Sequence, residues 1–437
     1  MKITSYIEST KRINWRLYIS LLFMGVCPAI YNTIRTYFVG QIPNEWSYSI
    51  AGQLQWVSLL YEIINEAIIL PLFFFLGMKF LSKEEFTNRL KTGLLLSAII
   101  FGIFSIIIII FTNTLLHLMA TSPEIIPASI PYIRLEAIAN IFAVSYSFVG
   151  VALVVIGKDT YVYLLTGCKL LLSIILDILF LSNYSFSLQL GVNGIGVSNI
   201  ISNILLVAIA LYLINKEGYK IFNKRPLNFL WIHNLAKIGG ISGLESFVRN
   251  IAYMLMVSRM VNMVGEQGTY WVANTFIWGW LLLPVLALGE LIKKEVSEDI
   301  SAISQKTKGY FILTGGIVLL WLIFIPWFKP FMQNILGFSD VDKLFNLVIL
   351  LLGFYIFFAF QNIFDAIFYG RGKTNYMLVE TIITNSIYYG GFFILYNTGN
   401  WEPTLYGIAL MFGFGMVFDS IVSGAMFYYF LNKESQN

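Results

Sequence analysis

Two stripes of polar side chains interrupt otherwise apolar runs of this chain. The first is Gln55, Ser58, Glu62, Asn65 and Glu66, whose spacings of 3, 4, 3 and 1 put them on one side of a helix. The second is Ser242, Glu245, Arg249 and Tyr253, at i, i+3, i+7 and i+11. Glu245 precedes Arg249 by four residues, the favourable order for an ion pair. A cation, Arg35, interrupts the run 28–40, and Lys169, Ser173 and Asp177 share a third helical face. Glu62 and Glu66 stand one turn apart, and two carboxylates that close in a poorly solvated place compete for a proton or a counter-ion. That is the chemistry of an ion-coupled carrier. The structural alternative is that hydrogen bonds or a guanidinium simply satisfy both acids.

The elements that must hold these residues are membrane helices. Of 437 residues 58% are hydrophobic and only 12% charged, and the mean hydropathy is +0.75. A soluble chain carries about twice that charge, so a polytopic all-α membrane protein is expected. Segments long enough to cross ~30 Å of hydrocarbon lie at about 15–40, 49–79, 92–118, 128–156, 161–182, 190–215, 235–262, 269–291, 309–332, 343–369, 374–397 and 402–431. No signal peptide is read at the amino terminus. Cys27 and Cys168 read as small buried hydrophobes rather than a disulfide, and His117 and His233 are too far apart to suggest a metal site.

Lysine and arginine set the orientation. With both termini cytoplasmic, the inner segments hold twenty of them and the outer segments only Lys329 and Lys343. The basic residues are thus topological, and nucleic acid is not an expected partner. Depth then suggests pairs. Arg35 lies about 7 Å inside the outer end of the first span at 1.5 Å per residue, and Asp177 lies at a similar depth in the fifth. Arg35 with Asp177 is the favoured pair, with Glu62 the next candidate acid. Glu62, Glu66, Glu245 and Arg249 lie deeper, near the midplane. Asp365, Glu380 and Asp419 are single acids without a polar stripe and rank lower. Arg134 and Glu136 read as interfacial. Trp278, with Trp271 and Trp280, is a candidate cavity wall.

The chain also looks duplicated. Leu70-Pro71, Leu76-Gly77 and Lys83-Glu84 are echoed by Leu283-Pro284, Leu288-Gly289 and Lys294-Glu295, and Gly157 to Tyr161 by Gly370 to Tyr376. The offset is 213 at the prolines and 214 between Thr160 and Thr374. Two six-helix lobes follow, residues 1–215 and 235–437, joined by a cytoplasmic linker at 216–234 and related by a pseudo-two-fold axis along the membrane normal. Carriers of that design keep their site between the halves.

Several motifs carry a family resemblance. They are Pro28 with Thr36-Tyr-Phe-Val-Gly40; Ser122-Pro-Glu124 and Tyr132-Ile-Arg134; Gly157-Lys-Asp159-Thr160; Leu176-Asp177-Ile-Leu-Phe180; Gly191-Val-Asn-Gly194-Ile-Gly196; and Gly370-Arg-Gly-Lys-Thr374. In this order the chain resembles the multidrug and toxic compound extrusion (MATE) transporters of the multidrug/oligosaccharide-lipid/polysaccharide exporter superfamily. The resemblance implies twelve helices in two lobes and export of an organic compound in exchange for Na+ or H+. It also implies a first-lobe cation site built from an acid of the first helix and an Asn/Asp pair of the fifth. In this chain Asp177 keeps the second acid, Ser173 stands where the Asn would be, and Arg35 stands where the first-helix acid would be. A guanidinium there can occupy the place of the cation, so H+ is expected ahead of Na+.

The expected activity is therefore secondary active export of a small organic molecule by a monomer in the cell membrane, not an enzymatic reaction, and without a cofactor beyond the coupling ion. The expected coupling group is Glu62, Glu66, Asp177, Arg35 and Ser173. The expected substrate cavity holds Gln55, Asn65, Lys169, Glu245, Arg249, Tyr253 and Trp278. The alternative is a flippase for a lipid-linked or anionic amphipathic substrate, greeted by Arg35, Lys169 and Arg249; it calls for unpaired cations, whereas acids here equal or outnumber them.

Overall fold

A computed structural model describes residues 8–76, 82–222 and 226–434, which consist of helices and the turns between them, with no strand among the described residues. Lys2, Gly77, Lys79, Lys224 and Arg225, used above for the charge count and the repeat, lie outside the described residues. Nine helices among the described residues are long and apolar enough to cross a membrane, and the pair Gln267–Leu281 and Leu283–Glu298, bent by 52°, makes a tenth. The other two expected spans are the Leu54–Leu76 helix and the Ile232–Tyr253 helix, which continues through a π-helical turn at Met254–Ser258 into Arg259–Met263. These two carry the polar stripes. The protein is thus a multi-pass, all-helical membrane protein of twelve spans.

The chain forms two compact units, one running from Phe38 to Gly268, the other made of the residues up to Tyr37 together with those from Thr269 onward. In the Phe38–Gly268 unit the Ile126–Val155 helix is central and packs on Asn193–Lys216, Lys83–Leu118 and Leu54–Leu76. Trp56, Leu72, Leu90, Phe148 and Leu206 are fully buried there. Hydrocarbon already solvates apolar side chains, so close packing and interhelical hydrogen bonds hold this unit rather than exclusion from water. One such bond joins Tyr61 Oη and Ser105 Oγ at 2.7 Å. Another runs from Asn199 Nδ2 to Glu136 Oε1 at 2.8 Å. Glu136 is thus buried among the helices, whereas Arg134 is exposed. Two residues along a helix turn the side chain by about 200°, so the two could not share an environment.

The Ile232–Tyr253 helix crosses Leu54–Leu76 at the small residues Gly239, Gly243 and Ala67. A Cβ on Gly239 would fall 1.8 Å from the Ala67 carbonyl oxygen, and one on Gly243 would fall 2.7 Å from Ala67 Cβ. This is the small-xxx-small crossing by which membrane helices bring their backbones together. It sets the two polar stripes face to face.

In the other unit the Val341–Gly370 helix is central and packs on Leu405–Glu434, Leu283–Glu298 and Ser301–Asn334. Aromatic rings fill much of its core, with Phe368 stacked on Tyr376 at 5.2 Å and edge-on to Phe430 at 5.7 Å. The amino-terminal residues are pinned to this unit. Glu295 is buried and accepts from Asn14 N at 2.9 Å, from Tyr310 Oη and from Lys306 Nζ at 2.9 Å. Tyr18 Oη donates to the Pro284 carbonyl at 3.1 Å.

The two halves of the sequence end corresponding helices in the same way. Gly157 has φ +73° and Gly372 φ +64°, in the left-handed region that suits a glycine after a helix C-terminus. Lys158 N reaches back to Leu153 O at 2.9 Å, and Lys373 N to Phe368 O at 2.8 Å. Gly157 therefore corresponds to Gly372, not to Gly370, and Tyr161 to Tyr376, an offset of 215. Matching Thr160 to Thr374 puts the register at this motif one residue short; the backbone conformation identifies the right one.

Candidate functional site

Within the Phe38–Gly268 unit one guanidinium meets three carboxylates. Arg249 Nη1 lies 3.2 Å from Glu62 Oε1, Nη2 lies 3.0 Å from Glu66 Oε1, and Nε lies 3.1 Å from Glu245 Oε1. Glu62, Glu66 and Glu245 thus share one cation across two helices. The side chain of Glu245 is 8% exposed, that of Glu66 18%, and those of Glu62 and Arg249 37% and 42%. The acids at the back are sheltered while the arginine and Glu62 stay reachable. With all groups ionised these four side chains sum to two negative charges. Glu66 Oε2 is buried and has no hydrogen-bond partner among the described residues. A buried carboxylate oxygen in that position is where a proton or a small cation would be taken up.

The helices around the cluster are tied together by amides. Asn250 Nδ2 donates to the Leu59 carbonyl at 3.2 Å. Gln53 is fully buried; its Nε2 donates to Asn262 Oδ1 at 2.8 Å, and its Oε1 accepts from Trp56 and Thr121, each at 3.0 Å. Gln55, expected in the cavity, accepts from Gln267 Nε2 at 3.2 Å. Asn65 is exposed and Tyr253 half-buried.

Asp177 and Ser173 are buried in the Phe38–Gly268 unit, where the Lys169 ammonium lies 5.4 Å from the centre of the Tyr146 ring. Arg35 falls in the other unit, largely buried, its guanidinium 4.4 Å from the centre of the Tyr31 ring. Trp278 in that unit stands edge-on to Tyr355 and Phe358, at 6.4 and 5.8 Å. Cys27 and Cys168 are free thiols and half-buried rather than buried.

The second unit holds an acidic group that the sequence ranks low. Gln361 Nε2 donates to Glu380 Oε1 at 2.9 Å and to Asp419 Oδ2 at 2.7 Å. Thr384 Oγ1 donates to Asp419 at 2.6 Å, and Ser423 Oγ to Asp365 at 3.0 Å. Glu380 is 4% exposed, and its Oε2 has no hydrogen-bond partner among the described residues. Asp365, Glu380 and Asp419 come from three different helices, so no stripe within one helix could reveal them.

The comparisons with known proteins agree with this architecture. Residues 81–179 match the MatE family model. No curated protein sequence matches significantly. Solved structures do. An inward-facing multidrug resistance MATE family transporter of the MOP superfamily superposes with a TM-score of 0.77 at 17% identity, covering 96% of this chain and 99% of that one. The Vibrio cholerae MATE transporter VcmN in its bent form gives 0.68 at 15% identity, over 99% of each chain. A MOP superfamily transporter from Pyrococcus furiosus, described as having a binding pocket of reversed polarity, gives 0.67 at 17% identity, over 96% of this chain and 95% of that one. The chain is a multi-pass membrane protein whose fold is the one seen in these solved structures. It is the fold of the MATE transporters, and residues 81–179 carry the MatE sequence signature.

Proposed function

We propose that this protein is a secondary active exporter of the MATE type, which moves a small organic molecule out across the cell membrane by alternating access in exchange for protons. The observation that carries the reading is the cluster of Glu62, Glu66 and Glu245 on Arg249, with the buried Glu66 Oε2 unpartnered among the described residues. A group with one cation for three acids has more than one protonation state within reach. If Glu66 takes up a proton, Arg249 is left to Glu62 and Glu245, and the balance between two arrangements of the helices shifts. Asp177 with Ser173, and the acids around Glu380, are further places for the coupling ion. Arg35 argues for H+ over Na+, because it stands where the resembling family carries an acid. Supporting the orientation, both termini cytoplasmic, is the distribution of lysine and arginine between the two sides. The duplicated lobes, 1–215 and 235–437, would be the moving halves, and a monomer suffices.

Efflux from proteoliposomes under an imposed pH gradient tests this. Glu66→Gln is expected to slow gradient-driven efflux at least tenfold while a fluorescent organic cation still binds. Asp177→Asn serves as the parallel variant. Unchanged pH dependence in both would sink proton coupling, and efflux driven by a Na+ gradient alone would replace H+ with Na+.

A further inference from the structure

The basic end of the Phe38–Gly268 unit holds a cavity of about 930 Å³ that the transport reading leaves without a role. Lys83, Arg89, Lys91 and Lys220 line it, against Glu84 and Glu85. Glu85 is already taken by Arg89, at 2.6 Å. Two of the cations are fixed in place. Lys83 Nζ donates to the Glu217 carbonyl at 3.2 Å and sits 4.9 Å from the centre of the Tyr219 ring. Arg89 Nη1 donates to the Phe75 carbonyl at 2.8 Å. Four cations against two acids leave the lining net positive. The opening turn of the Lys83–Leu118 helix adds the positive end of a helix dipole at the same place.

Depth says what such a cavity meets. The Lys83–Leu118 helix has 36 residues, about 54 Å at 1.5 Å per residue, against ~30 Å of hydrocarbon. Its long apolar stretch begins only at Leu94, so the turns bearing Lys83, Arg89 and Lys91 stand at the level of the lipid headgroups. Apolar side chains also line it: Leu230 and Trp231, beside Asn228 and Asn234. Leu230 is 83% exposed, and Phe222 in the linker, 77%. Large apolar side chains bared beside a basic cleft at headgroup level suit an amphiphile.

We propose that this cavity binds the headgroup of an anionic phospholipid from the leaflet facing the basic loops, its phosphodiester against Lys91 and Lys220 and its acyl chains along Leu230. A lipid held there would fasten the linker to the first turns of the Lys83–Leu118 helix. The site depends on the membrane topology, not on what the protein carries or which ion drives it, so it stands or falls separately from the exporter reading.

The test uses the full chain in neutral detergent, with phosphatidylglycerol, phosphatidylcholine or inorganic phosphate added, read by native mass spectrometry and thermal melting. Wild type is expected to retain phosphatidylglycerol about tenfold better than phosphatidylcholine. Lys91→Gln with Lys220→Gln should cut that preference to below about threefold, while Lys293→Gln with Lys294→Gln, at the basic end of the other unit, should keep it. Raising salt from about 50 to 500 mM should erode the wild-type preference as the Debye length shortens. Equal retention of the two lipids, or a preference undiminished in the Lys91/Lys220 variant or in high salt, overturns the proposal. So does a melting shift reproduced by inorganic phosphate alone, which would assign the cavity to a soluble anion.

Discussion

Arg249→Gln is expected to abolish gradient-driven efflux and to lower the melting temperature at neutral pH more than any other single change of charge in the Phe38–Gly268 unit. The substitution keeps a polar but shorter side chain and takes from Glu62, Glu66 and Glu245 the guanidinium they share at 3.0–3.2 Å. Removing one partner of a fully buried ion pair costs about 3–5 kcal/mol, because the remaining charge stays buried. Arg249 is 42% exposed, and water screens part of the loss, so about 2–3 kcal/mol is the better expectation. Two comparisons separate electrostatics from lost packing. Arg249→Lys restores the charge as a single point and cannot serve three carboxylates through a planar fork, so it should recover part of the stability and little of the transport. The Arg249→Gln defect should be smaller at pH 5 than at pH 8, because carboxylates deprived of their cation take up protons as the pH falls. A defect equally large at both pH values would mean that Arg249 acts through shape rather than charge.

The parts of the site that lie along one helix could be read in the sequence. The stripe ending in Glu62 and Glu66 and the Glu245–Arg249 spacing both follow from a period of 3.6. Their meeting across helices also had a signal, Gly239 and Gly243 at a spacing of four opposite Ala67, which counting charges passes over. Gln53 was missed for a local reason: it lies just before the Leu54–Leu76 helix begins, so a stripe counted from Gln55 leaves out the most buried amide of the group. The acids of the second unit were visible one by one but not as a group, because Asp365, Glu380 and Asp419 are contributed singly by three helices. The repeat was visible, but its register rests on which glycine adopts the left-handed conformation, and the sequence offers two in Gly370-Arg-Gly372.

The contact that brings the two stripes together leads to the other large effect. Gly239→Ala is expected to destabilise the protein severely, and Gly240→Ala hardly at all. A Cβ on Gly239 would stand 1.8 Å from the Ala67 carbonyl oxygen and 3.3 Å from Pro71 Cγ. Both atoms belong to the facing helix, so no side-chain rotation can relieve the clash; the two backbones must part. Gly240 is exposed, and a Cβ there meets nothing within 4 Å; alanine would even gain up to about 1 kcal/mol of helix propensity. Parting the helices by one to two ångströms would forfeit much of the dispersion contact at the crossing, so a loss of about 3 kcal/mol or more is expected for Gly239→Ala, in the upper range for point substitutions. Ala67→Gly, which removes a methyl group from the facing helix, should not rescue it, because the clash is with the carbonyl oxygen rather than the side chain. Fluorescence-detected size-exclusion chromatography after graded heating would measure all three. A helix pair held apart would also stretch the bonds from Arg249 to Glu62 and Glu66 while leaving its bond to Glu245, on its own helix, intact. Surviving Gly239→Ala protein should therefore lose proton-driven efflux in the manner of Arg249→Gln, although no ionisable group has changed.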